Sequence, residues 1–190
     1  MNLEPKALAQ AIKAVRHAAG KTDDPPVRGT ILFEPWTADD GQVGLALVAA
    51  DNYRIARARL TAFNDEPWPE RALLGIEDVP TLLAWLGSAK HEDFVVLTCQ
   101  AQTITLSARN HGPLAFSRRV GDFPEYEQVY ALGTRTLTLG VNPTFLRELG
   151  AGIGSVGRIS LGASPNDPIH YSGTLDGGDY FEVLMPVRIS

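Results

Sequence analysis

A single cysteine, Cys99, stands in 190 residues, and one thiol cannot close an internal disulfide. It lies in the strand-like run Phe94-Val-Val-Leu-Thr-Cys99 with no neighbouring signal for an activated thiolate, so it reads as a small core hydrophobe in a reducing compartment. Long apolar runs are missing as well. The longest, around Leu45 to Ala50, is far below the ~20 residues a membrane-crossing helix requires. The amino terminus lacks the basic segment and apolar stretch of a secretory signal, so the expectation is a soluble, unsecreted, cytoplasmic protein. Metal and catalytic signatures are also scarce. Histidines 17, 91, 111 and 170 are scattered, none in a spacing such as His-Glu-x-x-His. The acids Asp39-Asp40 and Asp176 to Asp179 fall in glycine-containing turns and read as solvated. The glycines of Gly150-Ala-Gly-Ile-Gly154 follow a predicted helix instead of preceding one, so they cannot aim a helix amino terminus at a phosphate. No catalytic set, metal or cofactor is expected.

What is present is a repeated pattern. Three times, at intervals of about 60 residues, a short extended segment leads into one amphipathic helix and then into strand-like runs separated by turn residues. The blocks are Met1 to Asp65, Glu66 to Val129 and Tyr130 to Ser190. One such unit has too small an apolar face to stand alone, so the repetition predicts side-by-side assembly. With 44% hydrophobic residues the chain has ample material for a packed core. The expected class is α+β, with residues 1–129 forming a domain of two repeats and 130–190 a single repeat.

In the first block, Pro5 opens a helix predicted to reach about Ala19, with Leu8, Ile12, Val15 and Ala19 on the buried face. Lys6, Gln10, Lys13 and His17 share the opposite face, Arg16 lies beside them and Lys21 just beyond. Strands are predicted at Gly29 to Glu34, Val43 to Ala49 and Tyr53 to Leu60. The second block offers an extended Arg71 to Ile76 and a helix with Val79, Leu82, Leu83 and Leu86 buried. The opposite face of that helix, Thr81, Ala84, Trp85 and Ser88, is uncharged. Strands follow at Phe94 to Cys99, Thr103 to Ala108 and Leu114 to Arg119. The third block offers a strand at Thr134 to Val141, then a short helix capped by Asn142 that buries Phe145, Leu146 and Leu149. Its strands are Arg158 to Leu161, Ile169 to Ser172 and Tyr180 to Ile189. The net charge of −5 argues against a protein that coats nucleic acid by bulk attraction, but the basic face of the first helix is a local exception.

Three stretches in order resemble the bacterial sliding clamp, the β subunit of the replicative DNA polymerase. They are Pro26-Val-Arg-Gly-Thr-Ile-Leu-Phe-Glu34 with Leu47-Val-Ala-Ala-Asp-Asn-Tyr-Arg-Ile-Ala56, then Gly121-Asp-Phe-Pro-Glu-Tyr-Glu-Gln-Val129, and the ending Tyr180-Phe-Glu-Val-Leu-Met-Pro-Val-Arg-Ile189. Together they cover nearly the whole chain. The resemblance implies a DNA-clamp fold in which helices line a ring around duplex DNA and sheets form the outer wall. It implies non-sequence-specific contact with phosphates from Lys6, Gln10, Lys13, Arg16, His17 and Lys21, and so a nucleoid-associated location.

The resemblance further implies docking of a short peptide from a DNA polymerase or clamp loader. Carried over by position, that site is Ala50, Asn52, Tyr53, Arg54 and Ile55 on one side, with Val183, Leu184, Met185, Pro186, Val187 and Arg188 on the other. Two positions depart from the family pattern: Arg28 stands where the family has a pocket leucine, and Ala131 replaces a linker proline. Length departs too. Clamps of this family carry six units per chain and close as dimers, whereas three units imply four chains per ring. A fourfold rotation would put the alternating within-domain and between-domain junctions out of phase, so the expected assembly is a tetrameric dimer of dimers with isologous contacts. The competing reading is a clamp-like interaction protein that binds clamp partners, or a clamp subunit, without encircling DNA. An enzyme on a repeat scaffold is the least supported, because no catalytic set is found.

Overall fold

The computed structural model describes residues 1–20, 29–51, 55–64, 66–127, 137–149, 156–175 and 178–187. The chain divides into two compact units, Met1–Gln128 and Val129–Ser190.

Unit 1 is built from two repeats that exchange their first strands. Strand β1 (Asn2–Leu3) is followed by helix α1 (Pro5–Val15), which ends in a single 3-10 turn, and then by β2 (Thr30–Thr37), β3 (Val43–Ala50) and β4 (Ile55–Thr61). The second repeat runs β5 (Ala72–Gly75), α2 (Val79–Ser88), β6 (Val95–Cys99), β7 (Thr103–Ala108) and β8 (His111–Ser117). The sheets have the orders β4-β3-β2-β5 and β1-β6-β7-β8. Each leading strand therefore pairs with the sheet of the other repeat: Leu3 opposes Val95, and Leu74 opposes Ile31.

Proline at the start of each helix costs nothing, because the first-turn N–H groups lack intrahelical partners anyway. Helix α1 then places Leu8, Ile12 and Val15 on one stripe, and α2 does the same with Val79, Leu82 and Leu86. These stripes meet Ile31, Phe33, Leu45 and Leu47 of the first sheet and Val95, Leu97, Ile104 and Leu106 of the second in one core. The apolar run of β3 is explained by burial on both faces. Leu45, Leu47 and Ala49 turn to that core, while Val48 and Ala50 turn to a second cluster with Leu32, Leu73, Phe123 and Tyr126.

Unit 2 contains helix α3 (Pro143–Glu148) and strands β9 (Arg158–Ser160), β10 (Ile169–Leu175) and β11 (Gly178–Leu184), in the order β11-β10-β9. The Asn142 side chain caps α3 by accepting from the Thr144 N–H at 2.9 Å. One hydrogen bond recurs in all three repeats. The leading segment's carbonyl accepts from an N–H just past the repeat's last strand: Asn2 from Phe63, Leu73 from Arg119 and Gly140 from Val187, each at 2.9 Å. A Cβ at position 140 would strike the Val187 carbonyl, so only glycine permits that approach.

Several sequence expectations shift. The α1 stripe gains Ala11, Ala18 of the following 3-10 turn is buried too, and Ala19 is only half-buried. Leu83 is also half-buried, because the wider stripe of α2 is already filled by Val79, Leu82 and Leu86. Within the expected strand Thr134 to Val141, residues 134–136 lie outside the described residues, and Gly140 makes only an isolated bridge to Val187. Strand β11 ends at Leu184, because Pro186 cannot donate to a ladder, and residues 188–189 of the expected strand lie outside the described residues. Phe145 and Leu146 are 55% and 44% exposed instead of buried, since no second helix among the described residues of unit 2 covers them.

Candidate nucleic-acid and peptide interfaces

The exposed side of α1 follows directly from its buried stripe. With Leu8, Ile12 and Val15 inward, the 100° step per residue leaves Lys6, Gln10 and Lys13 outward, and Arg16 and His17 in the following 3-10 turn are exposed too. None of these side chains forms a salt bridge among the described residues. Helix α1 carries no acidic residue, and α2 carries no charge at all. Lys90 and His91 are exposed just past α2; sequence reading passed over them because they lie beyond the helical period. Lys21 lies outside the described residues.

The predicted peptide site falls in both units. In unit 1, Ala50 ends β3 and opposes Ile55 at the start of β4; Asn52, Tyr53 and Arg54 between them lie outside the described residues. Ala50 and Ile55 belong to the second apolar cluster on the sheet's outer side, which Phe123 and Tyr126 cover. In the sequence, Gly121 to Val129 stands out only through its resemblance to the clamp family. The signal passed over was two aromatics three residues apart in an otherwise polar stretch.

That cover is anchored by a polar network buried at Tyr126 and Glu34 and open to solvent at Arg71 and Glu125. The Tyr126 hydroxyl donates to the carboxylate of Glu34, which is 8% exposed and also pairs with Arg71 Nε at 3.3 Å. Arg71 reaches Glu125 Oε1 at 3.7 Å. Burial, then the hydrogen bond and negative charge of Glu34, push the Tyr126 phenol above its ordinary range, with Arg57 opposing. A cleft of about 260 Å³ opens beside Phe123, bounded by Leu32, Leu73, Arg71 and Arg119. Arg119 is held by Glu77, so the cleft's cations are already neutralised.

In unit 2 the other predicted residues come together. Val183, Met185 and Val187 are 44%, 60% and 48% exposed, Leu184 is buried and Pro186 half-buried. With Phe145 and Glu148 of α3 they line an open groove of about 480 Å³. Met185 to Val187 leave the regular ladder, which frees their side chains from the strict alternation that a longer strand would impose. Phe145, expected in the core, is a wall of this groove. Arg188 lies outside the described residues, as do Arg28 and Ala131. Among the described residues no group of three or more His, Cys, Asp or Glu side chains is placed to hold a metal, and no helix is long and apolar enough to cross a membrane.

No family model matches this sequence, and no curated protein does. Solved structures do match. A DNA polymerase sliding clamp from Pseudomonas aeruginosa superposes with a TM-score of 0.78 at 17% identity, over 98% of this chain and 50% of the clamp. The Caulobacter crescentus β sliding clamp gives 0.76 at 16% identity, again over 98% and 50%. The DNA polymerase III β subunit of Thermotoga maritima gives 0.71 at 16% identity, over 98% and 49%. The chain thus has the sliding-clamp fold along nearly its whole length and spans about half the length of the clamps it matches.

Proposed function

We propose that this chain is a short sliding clamp: a non-catalytic processivity factor that encircles duplex DNA as a homo-oligomeric ring and tethers a DNA polymerase through a peptide site. The observation that carries the reading is the basic face of α1, which has no acidic residue in the helix and no salt bridge among the described residues, on a unit with the clamp fold. Lys6, Lys13, Arg16 and His17, with Gln10 and Lys21, would contact phosphates without reading bases. The groove of Val183 to Val187, with Ala50, Asn52, Tyr53, Arg54, Ile55 and Arg188, would take an extended apolar peptide of a polymerase or clamp loader. Such a protein works in the cytoplasm on the nucleoid.

With half a clamp's length per chain, closing the ring takes four chains in a dimer of dimers with isologous contacts. Light scattering on the purified protein at micromolar concentration tests this: the expected mass is four times the 20.5 kDa chain. A monomer or simple dimer contradicts it. One observation favours a second reading, a clamp-like interaction protein that binds clamp partners or a clamp subunit without encircling DNA. Helix α2 is uncharged, and in α3 Arg147 is offset by Glu148. Peptide binding with no DNA-dependent retention would select that reading.

A further inference from the structure

Every leading segment in this chain has two sides. In unit 1, one side bonds the tail of its own repeat, as Asn2 does to Phe63 and Leu73 to Arg119. The other side lies along the first sheet strand of the neighbouring repeat, β1 on β6 and β5 on β2. Unit 2 makes the first bond, Val187 to Gly140, and no strand among the described residues pairs with the outer edge of β9. The side chains tell the same story. Where β2 and β6 bury Ile31, Phe33, Val95 and Leu97, the strand β9 leaves Ile159 55% exposed, with Leu161 beyond it at 56%. Helices α1 and α2 bury five and three residues, and α3 buries none.

We infer that unit 2 is completed by unit 2 of a second copy of this chain, through reciprocal exchange. The Gly140-Val141 segment of each copy lies along β9 of the other, and the two α3 helices pack across a two-fold axis. The inference rests on the ring assembly proposed above and names one of its contacts. Its template is the repeat-to-repeat interface already present inside unit 1, of which unit 2 carries one half. Charge is compatible: α3 bears one cation and one anion, Arg147 and Glu148, so pairing the helix with its own copy brings opposite charges within reach. An open strand edge beside uncovered apolar side chains is the feature such pairing removes.

The test uses Ile159→Asp and Leu146→Asp in the full chain. Both positions are exposed in the single chain, so folding by circular dichroism is expected to be unchanged while the particle mass falls to half that of the unaltered protein. Amides of Arg158 to Ser160 are expected to exchange slowly in the unaltered protein and at least tenfold faster in the variants, with α1 and α2 amides unmoved. A mass that neither substitution changes overturns the inference, as does an unaltered protein that is monomeric with β9 still protected, which would assign that edge to a segment of the same chain. Halved mass in a protein that never stays on circular DNA leaves the exchange standing and removes the clamp reading. Unchanged mass in a protein that does stay on circular DNA does the reverse.

Discussion

The Tyr126 hydroxyl donates to the Glu34 carboxylate over the outer side of the first sheet, joining residues 92 apart in sequence. This bond fixes the segment after β8 over the apolar cluster that includes Ala50 and Ile55, on one side of the proposed peptide site. Tyr126→Phe removes the donor and leaves Glu34 with Arg71. Losing a hydrogen bond to a buried charge is expected to cost ~1–3 kcal/mol in urea unfolding at neutral pH. The pH dependence has a definite sign. Because the folded-state pKa of Tyr126 is raised, the folded protein holds that proton more tightly. The contribution is fully present below the ordinary phenol value of ~10 and is lost as pH climbs through the higher folded value. The Tyr126→Phe variant should lack this part of the alkaline loss, and equal alkaline slopes in both proteins would refute the assignment.

The cationic face of α1 is expected to act through counterion release. Replacing Lys6, Lys13 or Arg16 by Ala should lower the slope of log affinity against log salt by about 0.9 per residue, measured by anisotropy on labelled duplex DNA. These side chains are exposed, so the melting temperature should hardly move. An unchanged salt slope would place DNA elsewhere.

The groove of unit 2 should be sensitive to charge. Met185→Asp puts a carboxylate among Val183, Val187 and Phe145, and clamp-binding peptides are expected to weaken at least tenfold, about 1.4 kcal/mol. Met185 is 60% exposed, so stability should be retained. Peptide titration by calorimetry decides it; full affinity in the variant would move the site away from this groove.

Gly140→Ala should loosen the third repeat. The added Cβ meets the Val187 carbonyl backbone, which has no flexible end to yield. The expected result is faster exchange of the Val187 amide, with β6 to β8 amides unaffected. A Val187 amide as slow as before would show that the leading segment accommodates the methyl group.

Much of this was legible in the sequence because periodicity and punctuation agree in the first two repeats. Pro5 and Pro80 mark the helix starts, and the stripes of Leu8, Ile12, Val15 and Val79, Leu82, Leu86 repeat at helical spacing. Val43 to Ala50 was readable as a strand, but not the reason it is apolar on both faces, since Phe123 and Tyr126 arrive from more than 70 residues away. Exchange of β1 and β5 was not readable either: two- and four-residue strands specify extension, not which sheet receives them. Phe145 and Leu146 were expected in a core because their pattern is that of buried helix residues. The pattern was sound, but no second helix among the described residues of unit 2 opposes them. The groove residues Val183 to Val187 came from the family resemblance alone, as alternating apolar residues near a chain end carry no signal that separates a pocket from a strand.

Retention on DNA of defined topology tests the central claim most directly. The protein is bound to a nicked circular plasmid, washed at high salt, and the plasmid is then cut once. The protein is expected to stay on the circle and to leave when the DNA becomes linear, because a ring is held by topology and slides off free ends. Equal retention on circular and linear DNA, or loss from both at the same salt, would contradict it.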